Sequence, residues 1–301
     1  MDKNIRNLVA AAVLPLALAP GASAGLLFSD NFDYNAGDLK GQGEWLQYGT
    51  KTGAPVQVVS QSLTYPGYQS APAGGAIRLA GNLDAYDQSV FHDITRTDTP
   101  QDLYVGALIC VNAVPENCKA VSISFTGNNY KGYVDTSNPT AKGNIFILNG
   151  SDDAHFKLGL SKSTTSPKIS TDTEFELGKT YCLVMKYAYG PESGDDVISV
   201  WINPETESSL PALSSSDGTD FTGTYGAARG IVFQQAGSGV KGAPTMLVDA
   251  VRGATDWESL FTDEGGDDPG TDPEVSISAT EVSSDPLAAY VTGSATKQFS
   301  V

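Results

Sequence analysis

Basic residues are scarce in this sequence: 18 Lys and Arg stand against 35 Asp and Glu in 301 residues, for a net charge of −17. A surface of this sign repels nucleic acid phosphates and anionic membranes, so neither is expected as a partner. It is compatible with neutral sugars or divalent cations as ligands, and it equally suits plain solubility outside the cell.

Histidine and cysteine are nearly absent, at two and three residues. These numbers exclude His-rich metal sites, and the cysteine spacing does not suit structural zinc. Cys110 and Cys118 flank a turn-like segment and could form a disulfide near the tip of a hairpin. Cys182 is interpreted as a buried thiol, because no motif places a His beside it. Serine nucleophile motifs and phosphate-binding glycine loops are also missing.

The chain has one long apolar run, at residues 8–18, and it lies in a segment typical of a secretory signal. Lys3 and Arg6 precede the run, and small residues at Ala22 and Ala24 follow it, so we expect a signal peptide over residues 1–24. Pro15 interrupts the run, which is shorter than the roughly 20 residues of a membrane span. We therefore expect a secreted or cell-surface protein with no membrane span once the signal is removed.

Helical periodicity is lacking, whereas alternating or continuous apolar runs recur at short intervals between Gly, Pro and Asn clusters. About a dozen such strands without helices indicate an all-β fold of two stacked antiparallel sheets. The expected strands cover residues 26–34, 55–60, 63–68, 76–80, 88–91, 102–112, 120–125, 144–148, 155–160, 180–189, 196–202, 230–234 and 246–252.

The first strand, which opens at Leu26, needs a partner, and the best candidate is the stretch 245–257 near the far end of the β-rich region. We therefore expect the two ends to pair and to close one unit over residues 25–262. Trp201 is expected in the core, and Trp45 and Trp257 near the joined ends.

Residues 263–274 contain six acids, no basic residue, three Gly and two Pro. This composition predicts a solvated acidic linker. Residues 275–301 carry two strand-like runs, too few for a stable domain. We interpret them as the start of a truncated β-sandwich module, with further domains attached beyond Val301.

Four segments together resemble concanavalin A-like lectin/glucanase (laminin-G-like jelly-roll) domains of secreted bacterial proteins. They are DNFDYNAGDL at 30–39, TEFELGKTYCLVMKYAY at 173–189, ISVWINP at 198–204 and LVDAVRGATDWESL at 247–260. The resemblance covers roughly residues 25–262 and implies a jelly-roll sandwich. Members of this fold bind carbohydrate, hydrolyse it, or act as spacers in surface proteins, so the resemblance implies a fold more firmly than an activity.

The glucanases of this fold carry their acids as Glu-x-Asp-x-Glu on one strand, and that motif is absent. The nearest pairs are Glu174 with Glu176, beside a hairpin turn, and Glu205 with Glu207, in a Ser-rich loop with no strand to fix their separation. Because glycoside hydrolysis needs two carboxyl groups at a fixed separation, we assign no catalytic residue.

Carbohydrate binding requires an exposed aromatic ring beside hydrogen-bonding groups. The stretch GNNYKGY supplies Tyr130, Tyr133, Asn128 and Asn129 as ligand-binding candidates, against the alternative of ordinary loop tyrosines. A second candidate is LDAYD, with Asp84, Tyr86 and Asp87.

Pairing of the chain ends would bring Asp30 or Asp33 near Asp249. Carboxylate and carbonyl oxygens suit Ca²⁺, and the resemblance adds that similar domains carry structural calcium where their ends meet. The alternative is that these aspartates cap turns.

The sequence thus favours a non-catalytic extracellular module that recognises a glycan or cell-surface polysaccharide. The alternatives are a structural or adhesion spacer that presents a downstream module, and a divergent glycoside hydrolase or polysaccharide lyase.

Overall fold

The apolar alternation of the sequence folds as β-strands throughout the part of the chain that the structure describes. This computed structural model describes residues 25–68, 74–80, 87–94, 101–118, 120–127, 141–221, 227–235 and 243–262. These residues contain no α-helix, and a single 3₁₀ turn at Glu258–Leu260 follows the last strand. No helix in these residues is long and apolar enough to cross a membrane.

The strands within the described ranges are numbered in chain order. They are β1 Leu26–Asp30, β2 Gly37–Asp38, β3 Leu46–Tyr48, β4 Gln57–Val59, β5 Ala76–Ala80, β6 Ser89–Asp93, β7 Leu103–Ala113, β8 Val121–Thr126, β9 Ala141–Asn149, β10 His155–Ser161, β11 Ile169–Ser170, β12 Phe175–Glu176, β13 Thr180–Ala188, β14 Val197–Ile202, β15 Leu213–Ser215, β16 Gly230–Phe233 and β17 Thr245–Ala254.

The described strands form two antiparallel sheets that are not closed into a barrel. Sheet A has the order β15-β14-β13-β7-β17-β5-β4-β2, and β1 also pairs with β17. Sheet B has the order β11-β10-β9-β8-β16-β6-β3, and β12 also pairs with β10. The two sheets pack as a jelly-roll sandwich, which confirms the fold class expected from the sequence.

The two ends of the β-rich region pair, as the sequence predicts. Strand β1 lies antiparallel to the second half of β17, with Phe28 opposite Gly253 and Asp30 opposite Val251. The first half of β17 pairs on the same side with β5. Trp45 is fully buried close to this junction, 6.3 Å from Phe28 between ring centroids. Its expected place near the joined ends is confirmed.

The long strands of sheet A bury side chains on both faces. In β7, Val105 and Ile109 point into the core between the sheets, whereas Tyr104 and Leu108 belong to a second apolar layer on the outer face. Loops after β4, after β14 and after β17 cover this outer layer. It contains Trp201, which confirms that this tryptophan is buried.

The expected strand at residues 63–68 is wrong. The N–H of Tyr68 donates to the carbonyl of Tyr65 at 3.2 Å, and Gly67 has φ +79°. Proline at the second position and a glycine with positive φ at the third are typical of a type II turn. Pro66 and Gly67 therefore make a loop tip that places Tyr65 over the outer face of sheet A.

The three cysteines are buried, and no disulfide joins Cys110 to Cys118 in the structure. Cys182 is 1% exposed, and burial raises the pKa of its thiol to about 12. A thiol of this kind is a packing residue, because nucleophilic attack requires the thiolate.

Candidate functional site

A groove of about 650 Å³ lies on the outer face of sheet A. Three loops line it: residues 65–67 at the type II turn, residues 203–207 after β14, and the segment around the 3₁₀ turn after β17. Its volume falls within the range of roughly 300–1,000 Å³ that is usual for small-molecule sites. This depression is termed the outer groove.

Aromatic rings form one wall of the outer groove. Trp257 packs edge-on against Trp201 with ring centroids 5.3 Å apart, and Phe261 lies 5.4 Å from Trp257. Trp257 is itself buried, whereas Phe261 and Tyr65 are half-buried. The exposed parts of these two rings provide an apolar contact surface of the kind that sugar rings stack on.

Glu207 is fixed in position by two neighbouring strands. The register of β7 and β13 places Tyr104 opposite Lys186. The Tyr104 hydroxyl donates to Glu207 Oε1 at 2.7 Å, and Lys186 Nζ donates to the same oxygen at 3.1 Å. Lys186 also forms an ion pair with Asp102 at 3.2 Å. The side chain of Glu207 is therefore positioned by the sheet although the residue itself lies in a loop.

The same contacts keep Glu207 ionised. Partial burial alone would raise the pKa of its carboxyl group, but the hydrogen bonds from Tyr104 and Lys186 outweigh burial and lower that pKa. Glu205 and Glu258 add two exposed carboxylates to the lining. Among the described lining residues there is no Lys, Arg or His, so the outer groove is aromatic on one wall and negatively charged.

The ligand-binding residues expected from the sequence lie outside the described ranges. These are Tyr130, Tyr133, Asn128 and Asn129, in the connection from β8 to β9, and also Asp84 and Tyr86. Their role stays a prediction. Asp87 is described, and its buried carboxylate accepts the N–H of Ala54 at 3.0 Å.

Asp30 is buried at the joined ends and is surrounded by donors. Its Oδ1 accepts the N–H of Phe32 at 2.7 Å, and its Oδ2 accepts Tyr34 Oη at 2.8 Å and Trp45 Nε1 at 2.7 Å. Asp33, in contrast, is exposed. Asp30 thus caps the turn that follows β1. Turn capping is the alternative to a metal-binding role that the sequence left open for this residue.

Asp249 is also buried, and its carboxylate accepts the N–H of Leu63 at 2.7 Å and that of Ala250 at 2.6 Å. Burial, reinforced by the negative charge of Asp30, raises its pKa to about 6. Asp30, Asp33 and Asp249 are not among the described carboxylates that gather within 4.8 Å of one another. Because N–H and O–H donors already face the oxygens of the two buried aspartates, this set fits calcium poorly. Calcium there stays a prediction from the sequence.

The three carboxylates that do gather within 4.8 Å, among the described residues, are Asp195, Asp196 and Asp220. Their neighbour Lys162 is fully buried and forms an ion pair with Asp220. Lys162 Nζ also donates to the carbonyl oxygens of Gly194 at 3.1 Å and Ser216 at 3.2 Å. The ammonium group of Lys162 therefore compensates the negative charge of these carboxylates, as a bound metal ion would.

Of the two glutamate pairs considered from the sequence, Glu174 and Glu176 lie at a strand end. Glu174 accepts the N–H and the hydroxyl of Ser151 at 2.9 and 2.7 Å and pairs with Lys157 at 3.4 Å. Glu176 is exposed. These contacts agree with the interpretation of a solvated strand end.

The sequence did not lead to the prediction that Tyr65, Phe261 and Glu207 form one site. The Pro66-Gly67 pair was the available signal for Tyr65, because it marks a loop tip rather than a strand. Nothing local marks Glu207, since its partners lie 103 and 21 residues away.

No family model matches the sequence, and no curated protein matches it. Solved structures with a similar arrangement of strands include the carbohydrate recognition domain of Emp47p, at 12% identity and TM-score 0.41 over 77% of this chain and 98% of that chain. An endo-1,3-beta-glucanase from Streptomyces sioyaensis matches at 15% identity and TM-score 0.42, over 79% of this chain and 100% of that chain. A carbohydrate esterase from Shiga toxin-encoding bacteriophage phi24B matches at 14% identity and TM-score 0.46, over 76% and 97%. Lectin and glucanase domains are the kinds of protein that the sequence resemblance names, but no activity follows from similarities of this size.

Proposed function

We propose that this protein is a carbohydrate-binding module and that the outer groove is its binding site. The observation that carries the proposal is that one depression combines aromatic rings, Tyr65 and the Phe261 ring packed on Trp257, with carboxylates such as Glu207. Sugar rings present apolar C–H faces to aromatic rings, and their hydroxyl groups donate to carboxylates. The outer groove offers both kinds of contact.

The rigidity of the outer groove supports binding without large rearrangement. Glu207 is held by Tyr104 and Lys186, and Phe261 packs on Trp257. Groups that are held in place before binding lose less conformational entropy when the ligand arrives.

We further propose that the module is exported and acts outside the cell. This proposal is based on the signal-like residues 1–24 and on the acidic composition of the chain.

The test is binding of the chain to a panel of soluble polysaccharides, followed by Tyr65→Ala and Phe261→Ala. Each variant is expected to weaken binding about two- to tenfold, because an aromatic contact contributes on the order of 0.5–1.5 kcal/mol. Ile169→Ala is the matched control, since Ile169 is 38% exposed on the edge of sheet B. Unchanged binding in both aromatic variants would exclude the outer groove.

The same panel separates the remaining alternatives. If the Tyr65→Ala and Phe261→Ala variants still bind but Tyr130→Ala or Tyr133→Ala does not, the binding site would lie in the connection between β8 and β9. Release of reducing sugar ends from any polysaccharide would favour a glycoside hydrolase. No binding to any member would favour the spacer.

A further inference from the structure

The charges of the outer groove are unbalanced, and they are close to its aromatic wall. Glu205, Glu207 and Glu258 contribute carboxylates, and the described lining contains no cation. The net charge of the whole chain, −17, has the same sign. A cleft of one sign raises the local concentration of oppositely charged ligands and repels ligands of its own sign.

The cations near the outer groove already have partners. Arg252 Nη2 donates to the carbonyl oxygen of Thr262 at 2.7 Å, and Lys179, whose charge acts on Tyr65, pairs with Glu176 at 3.7 Å. Lys186 donates to Glu207 at 3.1 Å, pairs with Asp102 at 3.2 Å, and lies 4.6 Å from the ring centroid of Tyr104. Two carboxylates and one aromatic face thus compensate one ammonium group. An acidic sugar entering the outer groove would therefore meet carboxylates and no cation among the described lining residues.

The aromatic wall adds a second attraction for positive charge. The faces of Tyr65 and Phe261 are partly exposed beside the carboxylates. The π-electrons of such rings attract ammonium groups, and the attraction grows where the ligand is partly desolvated. Aromatic faces combined with carboxylates form the environment in which an amine binds better than a neutral group of the same size.

We propose that the outer groove selects glycans bearing free, protonated amino groups, such as oligomers of glucosamine, over neutral glycans, and that it excludes acidic glycans. This selectivity rests on the proposed carbohydrate-binding function and names its ligand class. The amine occupies the space between the rings of Tyr65 and Phe261 and the carboxylates of Glu205 and Glu258.

The test is calorimetric titration with three oligomers of equal length: glucosamine, N-acetylglucosamine and galacturonate. The titration is run at about pH 6, where the free amino groups of the glucosamine oligomer carry a positive charge. We expect the free amine oligomer to bind about tenfold more tightly than its acetylated form, from one cation–π contact and one exposed ion pair. The preference should vanish at about 1 M salt, where the screening length is about 3 Å. Galacturonate should not bind.

Glu205→Gln with Glu258→Gln removes two charges at exposed positions and keeps side-chain size. The double variant is expected to bind the acetylated oligomer as before and to lose the preference for the amine. Glu116→Gln with Glu192→Gln removes the same charge from exposed positions outside the outer groove lining and should keep the preference. Circular dichroism checks that all variants are folded.

The outcomes separate the two proposals. Equal affinity for the amine and acetylated oligomers, or binding of galacturonate, overturns the selectivity and leaves carbohydrate binding intact. If the control double variant also loses the preference for the amine, the assignment of this preference to the outer groove is wrong, because the preference would then depend on the net charge of the protein alone. Failure of all three oligomers and of the polysaccharide panel overturns carbohydrate binding itself.

Discussion

The ammonium group of Lys162 is in ion-pair contact with the carboxylate of Asp220, and both side chains are removed from solvent, at 0% and 6% exposure. The pair joins the end of β10 to the loop that follows β15. Burial would raise the pKa of Asp220, but Lys162 and the N–H of Gly194 outweigh it and lower that pKa. The positive charge thus holds together a group of carboxylates that would otherwise repel one another.

Asp220→Asn should destabilise the protein by about 3–5 kcal/mol, because the charge of Lys162 is then buried without its partner. Replacing both residues, Asp220→Asn with Lys162→Met, should recover part of this loss, since the ammonium group is no longer buried without its partner, although Asp195 and Asp196 then lack the nearby positive charge. The measurement is the free energy of unfolding in urea. As a control, Glu176→Gln breaks an exposed pair with Lys179 at 3.7 Å and should cost less than about 1 kcal/mol. Equal losses from Asp220→Asn and Glu176→Gln would contradict the role of the buried pair.

Asp249 should make the protein more stable as the pH falls from 7 to 5. The pKa of Asp249 is raised from 3.8 to about 6, chiefly by burial and also by Asp30. A raised folded-state pKa contributes stability that is fully present below the unfolded value and is lost as the pH rises through about 6. Asp249→Asn should remove this dependence in urea unfolding at pH 5, 6 and 7.

The same titration tests calcium at the joined ends. If calcium binds beside Asp249, its charge lowers the pKa of that group, so added calcium should stabilise the protein at pH 7 and the effect should fade at pH 5. The reference is a parallel sample in chelator. No difference between calcium and chelator at either pH would remove the predicted site at Asp30, Asp33 and Asp249.

His92 should act in the opposite direction. It is buried, with its ring stacked 4.1 Å from that of Phe28, and burial lowers its pKa from 6.5 although the carbonyl of Asp93 opposes the shift. A lowered folded-state pKa contributes stability that is present above the unfolded value and is lost as the pH falls through the folded one. His92→Phe keeps a stacked ring and removes the titration.

As the pH falls from 7 to 5, the unfolding free energy of the His92→Phe variant should therefore change in a more favourable direction than that of the original protein. Combining it with Asp249→Asn should leave only the pH dependence of the groups that both proteins share, such as His155, whose pKa is raised by its hydrogen bond to Asp152. A variant that keeps the original slope would show that another group titrates there.

Gly75 should not tolerate even a methyl group. A Cβ at this position would lie 2.6 Å from the carbonyl oxygen of Val59 and 2.8 Å from that of Phe32, both backbone atoms. Gly75→Ala should therefore cost about 3 kcal/mol in unfolding free energy through forced backbone movement. Gly178→Ala is the control: its φ of +74° is strained, but no atom lies within 4 Å of its Cβ, so about 1 kcal/mol is expected. A reversed order of the two losses would refute the close packing around Gly75.

The sandwich could be predicted from the sequence because its signal is local. The nearly continuous apolar runs of β7 and β13 follow from burial of both of their faces. A strand at each end of the β-rich region likewise requires a partner. The pairing of β1 with β17 was predictable for that reason. The strand prediction at residues 63–68 was wrong because the apolar residues around Pro66 and Gly67 have the pattern of a strand. The Pro-Gly pair is the stronger local signal, and it indicates a turn.

The outer groove could not be predicted, because its components meet only through sheet register. Tyr104, Lys186 and Glu207 are far apart in sequence, and the pairing of β7 with β13 brings the first two together. A loop glutamate has no periodicity that reports its neighbours. The same holds for Lys162 and Asp220, whose charges in the sequence are typical of exposed residues.

Tyr104→Phe tests whether the sheet controls the chemistry of the outer groove. The substitution keeps the ring on which Lys186 lies and removes one hydrogen bond, of 2.7 Å, to Glu207 Oε1. Because that bond lowers the pKa of Glu207, the pKa should rise in the variant, and binding of glucosamine oligomers should be lost at a higher pH than in the original protein. The measurement is the affinity for the oligomer between pH 4 and pH 7, with Tyr48→Phe on sheet B as the control for loss of a buried hydroxyl. If the affinity of Tyr104→Phe falls with pH in the same way as that of the control, Glu207 does not contribute its charge to binding. If the affinity is unchanged at pH 7 but is lost at a higher pH than in the control, Tyr104 is a positioning residue.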